Sequence, residues 1–452
     1  VLGRVDYDYK SKYLVEASFR VDGSSKFRNK RWGFFPSVSA GWRISEETFF
    51  RNALPFINNL KLRGSIGKLG DDNTDAYLWM MAFDYPGGDK YVLGDQGLIP
   101  GVNMPQIPNY AATWYTSTMK NLGIEMTAWN GALRFEADWF RRDRDGLLTN
   151  RIVSVPGTFG ATFAKENLNS DMQTGFEIVL GTNGSVADFT YGVTANVTYT
   201  LSRNKYVESV APGNSYDNWR HNSNDRNNNI LWMYDYAGHF TSMEDIYNSP
   251  VLEGLYTKYS YLPGDLKYVD YNEDGIIDEW DKQPIRRGNV PVVNYGLTVN
   301  LGWKGFDLSA TFQGAACFNA RMESRPLQFG GAWDIFMDRW HKADPFDPDG
   351  EWIPGRYPST RLQDPQNYGM ESTFFYSDCS YLRLKNLEIG YSLPRKCLDF
   401  LGIKDLRVYG NGFNLATWCS KDLKYIDPEN PGGSIERYPI MKNFNVGVNV
   451  TF

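Results

Sequence analysis

The chain closes on MKNFNVGVNVTF, Met441 to Phe452. Phe444, Val446, Val448, Val450 and Phe452 fall on one face of an extended strand, and Asn445, Gly447, Asn449 and Thr451 fall on the other. Side chains alternate across a strand with a period of two, so the segment has one oily wall and one polar wall. A soluble sandwich uses such strands. So does an outer-membrane barrel, whose apolar face meets lipid and whose polar face meets a wet interior. A last strand ending on an aromatic residue favours the barrel.

Composition permits either. A chain of 452 residues makes two or three soluble domains or one large barrel. A net charge of −6 gives no reason to expect nucleic acid as a partner. No apolar run reaches the ~18 residues of a transmembrane helix, and mean hydropathy is −0.47. Barrel strands escape that test, because alternation hides their hydrophobicity. The 29 Tyr, 27 Phe and 14 Trp suit aromatic girdles at two membrane interfaces, and suit an aromatic-rich carbohydrate-binding β-protein equally well. Val1 to Val5 is already strand-like, with no signal-peptide pattern. Four cysteines make no disulfide framework; Cys317 and Cys379, near the same ends of neighbouring strands, either pair or stay as small core residues.

Working back along the chain, strands are expected at 1–9, 13–20, 32–44, 59–69, 113–129, 132–148, 171–182, 188–204, 291–303, 306–317, 379–393 and 405–416, before the closing one. Residues 45–58 read as a short helical connection with Ser45 as N-cap. Tight turns are expected at Lys10-Ser11-Lys12, Asn130-Gly131, Asn183-Gly184 and Lys304-Gly305. Long connections fall at about 70–112, 205–290, 318–377 and 417–440. Short and long connections alternate, which is the pattern of a barrel with short periplasmic turns and long extracellular loops. The fold expected is therefore all-β, a transmembrane antiparallel barrel with about 13 strands in residues 1–452. The last loop is long, so the chain ends on the periplasmic side and Val1 lies outside. Barrels of this kind have even strand numbers, so at least one strand is expected upstream.

With these elements placed, the residues resemble the SusC-like TonB-dependent outer-membrane transporters of Bacteroidota. LGRVDYDYKSKYLVEASFRVDGSSKF (2–27), RWGFFPSVSAGWRISEE (31–47), INNLKLRGSIGKLG (57–70) and NLGIEMTAWNGALRFEADWFRRDRDGLL (121–148) carry the resemblance. KYVDYNEDGIIDEWDKQPI (267–285), SYLRLKNLEIGYSLP (380–394), LRVYGNGFNLATW (406–418) and the closing strand continue it in order. The resemblance implies the C-terminal part of a barrel of about 22 strands, with the plug domain and TonB box outside this chain. It also implies TonB-driven import of glycan oligosaccharides or of peptides, under a SusD-like surface lipoprotein. Siderophore- or vitamin-type ligands are a further alternative.

The sharpest local motif is DYNEDGIIDEWD, Asp270 to Asp281. Oxygens at positions 1, 3, 5, 7, 9 and 12 of a twelve-residue loop, with glycine at 6, enclose a Ca²⁺ ion. The ligands would be Asp270, Asn272, Asp274, the carbonyl of Ile276, Asp278 and Asp281, and the ion's role structural. Position 12 is Asp rather than Glu, which shortens its reach. The competing reading is a turn whose Asp and Asn side chains bond their own backbone.

Loop aromatics Trp219, Trp232, Tyr234, Tyr236, Trp333, Trp340 and Trp352 offer faces for sugar rings or pack among the loops, with packing favoured. His221, His239 and His341 stand apart from any metal-ligand spacing. Asp344, Asp347, Asp349 and Glu351 surround prolines as a solvated turn does. No GxSxG, HExxH or phosphate-cradling loop occurs, and no spacing singles out an acid–base pair. No organic cofactor or catalytic residue is expected. A barrel enzyme and a non-transporting carbohydrate-binding surface protein are the other function classes.

Overall fold

In the computed structural model the described residues are 1–452 except 82, 84, 88–89, 93, 103–105, 153–160, 253–259, 323–326, 329–330, 333, 360–365, 399–401, 424–425 and 431–439. One thirteen-stranded antiparallel sheet runs through the chain with its strands in sequence order. They are β1 (Leu2–Tyr9), β2 (Tyr13–Gly23), β3 (Trp32–Arg43), β4 (Ile57–Asp71), β5 (Tyr115–Ala128), β6 (Leu133–Thr149) and β7 (Glu166–Val186). Then come β8 (Phe189–Tyr206), β9 (Val293–Trp303), β10 (Phe306–Ala316), β11 (Tyr381–Ser392), β12 (Asp405–Cys419) and β13 (Asn443–Thr451).

Register carries the alternation of β13 through the whole sheet. Phe444, Val446, Val448 and Val450 sit opposite Gly412, Gly410, Val408 and Leu406, and the last two continue that apolar face into β12. Nothing covers this face: Phe444 is 74% exposed, Val446 85% and Val448 56%. A sandwich would bury these side chains against a second sheet, so the barrel wall is the architecture that fits.

The opposite face is lined with ion pairs. Arg63 on β4 donates to Glu125 on β5 and to Asp138 on β6, each at 2.7 Å. Arg407 on β12 reaches Asp307 on β10 at 3.0 Å and Glu388 on β11 at 2.7 Å. Arg144 on β6 meets Asp171 on β7. Facing rows of unlike charge let a polar wall stand without a packed core behind it.

At one rim the turns are short. Lys304-Gly305 is a two-residue hairpin with φ of 48° and 88°, closing Trp303 onto Phe306. Asn130-Gly131 turns the chain as expected, within residues 129–132. Asn183-Gly184 does not. The strand continues to Val186 and reverses at Ala187-Asp188. Gly184 serves a close approach instead, since a Cβ there would lie 2.6 Å from the Tyr191 hydroxyl.

Ser45 is no N-cap either: it is buried in a 3-10 turn, and helix α1 (Thr48–Ala53) starts after Glu47. The Glu47 carboxylate makes no cap bond. It accepts from Lys12 Nζ at 3.0 Å and from the Tyr13 hydroxyl at 2.8 Å, stapling two turns of that rim together. Cys317 and Cys379 are free thiols, the first exposed and the second buried.

At the other rim the chain spends its length. Connections 207–292 and 317–380 fold into a layer of short ribbons, Ile230–Met233 on Gln283–Arg287 and Tyr236–His239 on Leu266–Tyr268 among them. The hydrophobic core sits here rather than in the sheet. Tyr234, Leu252, Leu266, Tyr268 and Ile277 from the first connection pack on Phe336, Tyr368 and Phe375 from the second. Tyr234 N–H donates to the Glu371 carbonyl and Thr373 N–H donates to the Tyr234 carbonyl, so the two connections fold as one body.

Candidate functional site

The acidic loop lies in this layer. Its Gly275 has φ of +84°, the left-handed bend that position six requires and that glycine adopts freely. Asp270 accepts from Glu273 N–H at 2.7 Å and Gly275 N–H at 2.8 Å, and Asp274 accepts from Ile276 N–H at 2.9 Å. Asp278 accepts from Trp280 N–H at 2.8 Å. Asn272 bonds Asp274 through both its amide nitrogen and its oxygen.

Asp281 is fully buried. It takes Tyr271 N–H and Asp278 N–H at 2.8 and 2.9 Å. Burial pushes its carboxyl pKa up, with Asp270 adding to the rise. The oxygens of the loop are thus turned onto N–H groups. No group of three or more His, Cys, Asp or Glu among the described residues is gathered as a metal site.

Beside this loop runs a row of rings. Helix α2 (Ser215–His221) is capped by Asn214, whose side chain accepts from Asp217 N–H. The helix presents Tyr216 and Trp219 on one side. Tyr216 lies 4.1 Å from the Trp280 ring and 5.5 Å from Trp219, and Trp219 meets Trp232 edge-on at 4.7 Å. The Tyr216 hydroxyl donates to the carbonyls of Glu279 and Trp280, tying α2 to the end of the acidic loop. The Arg220 guanidinium covers Trp232 at 4.5 Å. Trp219 and Trp280 remain about two-fifths exposed, at 40% and 43%.

The same helix walls a concavity of about 630 Å³ with Asp217, Asn218 and His221, completed by Asn222, Asn224 and Ser209. Its lining is mostly apolar, from Val207, Val210, Ala211 and Pro212, with the amides of Asn218, Asn222 and Asn224 and the Asp217 carboxylate set among them.

The other expected aromatics divide. Tyr234 and Trp340 are buried and serve the loop core. Tyr236 and Trp352 are partly buried, and Lys342 covers the Trp352 ring. Trp333 lies outside the described residues. Tyr216 and Trp280 complete the row and were missed because one sits in a short polar helix and the other inside an ion-loop motif. Tyr216 lies one helical turn before Trp219, whereas the spacing of Trp280 from Trp219 exists only in three dimensions.

Of the histidines, His221 lies 3.7 Å from Asp217, and His341 bonds the Arg339 carbonyl. His239 packs against Trp340 and bonds the Tyr236 hydroxyl at 2.7 Å. Burial lowers its pKa to about 4. Asp344 and Asp347 close turns on Phe346 and Asp349 N–H groups.

Similarity to known proteins follows the fold. A family model described as "TonB dependent receptor-like, beta-barrel" matches residues 2–415. TonB-dependent receptor P26 of Formosa agariphila is 28% identical over 478 residues, covering all of this chain and 46% of that protein. TonB-dependent receptor SusC of Bacteroides thetaiotaomicron is 26% identical over 472 residues, covering all of this chain and 43% of that protein. The RagAB peptide importer in its open-open state superposes with a TM-score of 0.75 at 20% identity, over all of this chain and 46% of that one. At that identity the likeness concerns the fold. The chain spans about half the length of the curated relatives it matches.

Proposed function

This chain belongs to the TonB-dependent receptor-like β-barrel family of the outer membrane, which is not an enzyme class, and from that premise we propose that it serves TonB-dependent import of oligomeric nutrients, glycan oligosaccharides foremost. The chain supplies C-terminal barrel strands of the importer. A SusD-like lipoprotein closes over the loop layer, and TonB supplies the energy through a plug domain inside the barrel.

The observation that carries the substrate class is the exposed row of Trp219 and Trp280 joined through Tyr216, beside a largely apolar concavity on the same helix that carries three amides, Asn218, Asn222 and Asn224. Flat indole faces offer sugar rings apolar area. Amides supply paired donors and acceptors for hydroxyls without net charge. Peptide import is the alternative.

The test uses cells carrying the full-length protein and its lipoprotein partner. Uptake of fluorescent oligosaccharides should require both proteins and stop when the proton gradient is collapsed. The Trp219→Ala/Trp280→Ala double variant should lower it about tenfold or more, since each stacking contact is worth roughly 1 kcal/mol. Uptake of labelled peptides in place of oligosaccharides would establish the alternative.

We also propose that Ca²⁺ occupies the 270–281 loop as a structural ion. Supporting this are the left-handed glycine at position six and the full burial of the Asp281 carboxylate at position twelve, with N–H groups as its hydrogen-bond partners. Ligation would turn Asp270 and Asp274 from these N–H groups toward the ion.

A further inference from the structure

At the rim of short turns the chain reverses tightly within residues 10–12, 129–132, 187–188 and 304–305. Two connections there are longer, 393–404 and 44–56. The second spends its length on a 3-10 turn, helix α1 and a tail that leads into β4. Helix α1 has six residues, TFFRNA, too few to stay helical in water without packing. Within the chain that packing is meagre. No residue of α1 is buried, Phe49 is 63% exposed, and residues 51–56, Leu54 and Phe56 among them, are exposed throughout.

Glu47 sets where this segment hangs. Its carboxylate accepts from the Tyr13 hydroxyl at 2.8 Å and from the Trp42 indole N–H at 3.4 Å. Tyr13, Trp42 and Leu62 are partners across β2, β3 and β4. They belong to the exposed apolar face of the wall, as Val15 and Val38 do, each lying an even number of residues from the next along its strand. Helix α1 therefore starts under the apolar face of the wall, not under the polar face that carries Arg63. At the other end of the segment Phe56 stacks on Trp129 at 5.5 Å, and Trp129 is itself exposed. Within α1, Phe49 and Ala53 share one side, because four residues make just over one turn. Arg51 points the opposite way and pairs with Glu46 at 2.5 Å.

We propose that residues 44–56 are an interfacial foot, whose Phe49, Leu54 and Phe56 insert among the phospholipids of the periplasmic leaflet while the Arg51–Glu46 pair faces the periplasm. Continuity selects lipid as the occupant. The segment hangs from the same apolar face that Tyr13, Trp42 and Leu62 present to the bilayer. An amphipathic helix seated at that level buries its apolar side at the boundary between head groups and acyl chains. Lipid thus supplies the packing that α1 lacks within the chain, and the foot fixes the depth at which β3 and β4 enter the leaflet. The proposal rests on the membrane orientation of the sheet and is independent of what the protein imports.

The test is photo-crosslinking of the full-length protein in native outer membranes, with p-benzoylphenylalanine in place of Phe49, Arg51 or Phe56 in turn. Mass spectrometry should find phospholipid adducts at positions 49 and 56, severalfold more than at position 51. With the probe at 56, Phe49→Gln/Leu54→Gln should lower the adduct yield about tenfold, the worth of one modestly buried apolar side chain. Phe49→Leu/Leu54→Ile should keep it, which separates loss of apolar area from loss of fold. Equal yields at 49 and 51, or an unchanged yield in the double glutamine variant, would overturn the proposal. Adducts to a periplasmic protein in place of lipid would overturn it too. So would adducts to lipid A, by placing this rim in the outer leaflet.

Discussion

Arg383 and Asp427 meet at 2.5 Å between Nη2 and Oδ1, across 44 residues of chain. Arg383 projects from β11 and is almost wholly buried, and its second nitrogen reaches Glu429 at 2.7 Å. Gln313 on β10 and Lys385 also contact Glu429. The last long connection is thereby strapped down to the strands it leaves.

Removing that guanidinium should release the strap. Breaking a buried pair costs about 3–5 kcal/mol, and the partial exposure of the two carboxylates reduces this to about 2–3 kcal/mol. Arg383→Met should expose Lys421 to trypsin at a rate many times that of wild type. Adding Asp427→Asn and Glu429→Gln should recover part of the protection, because no uncompensated charge is left. Equal cleavage of wild type and Arg383→Met would show that the strap does not hold.

The closing strand makes the membrane reading testable by a neighbouring pair. Val448→Arg puts a charge on the apolar face and should cost about 2–4 kcal/mol near the bilayer midplane. Asn449→Arg, one residue on and facing the polar wall, should cost little. Folded yield in the outer membrane, read as heat-modifiable mobility on a gel, should fall for the first and hold for the second. The reverse order would invert the faces.

The loop layer carries an acid-sensitive point at His239. Its folded pKa, about 4, is depressed below the ordinary 6.5 by burial. As pH falls from 6.5 towards 4, the unfolded loop takes up a proton that the folded one refuses, so stability is lost across that window. The loss is at most on the order of 3 kcal/mol. Trp340 stacks on His239 at 5.9 Å, so its fluorescence should report the loosening. His239→Phe should remove the pH dependence while keeping the ring contacts; a transition unchanged in that variant would move the origin elsewhere.

Calcium should be visible through Trp280, which lies inside the 270–281 loop. Terbium added to the protein should give emission sensitised by that indole, and calcium should displace it. Asp270→Asn/Asp274→Asn should abolish the signal, since each removes a charged oxygen at positions one and five. Chelation should raise the proteolysis of residues 270–281. Wild type that gives no sensitised emission would leave the loop as a hydrogen-bonded turn.

Much of this was legible beforehand for a physical reason. The period-two pattern is local, so each strand announces its own faces, and long strands with short turns fix their neighbours. All thirteen strands stand where alternation put them, within a few residues, and the left-handed glycine of the acidic loop at Gly275 was readable because the spacing of Asp, Asn and Gly there is a one-dimensional code. Local signals failed where distant chain competed for the same group. Asn183-Gly184 looked like a turn, yet Tyr191 on the next strand needed the glycine's missing side chain. Ser45 looked like a cap, yet the chain buried it.

Sequence by itself thus determined which side of each strand faces lipid, because that is decided within two residues of any position. Only the tertiary structure decided what gathers on each side. Trp219 is joined through Tyr216 to Trp280, 61 positions further along the chain, Arg383 finds Asp427, and Lys120 is set against Arg141. Those pairings depend on register and on how the long connections fold over one another, and the energy that fixes them is shared among residues far apart in the chain.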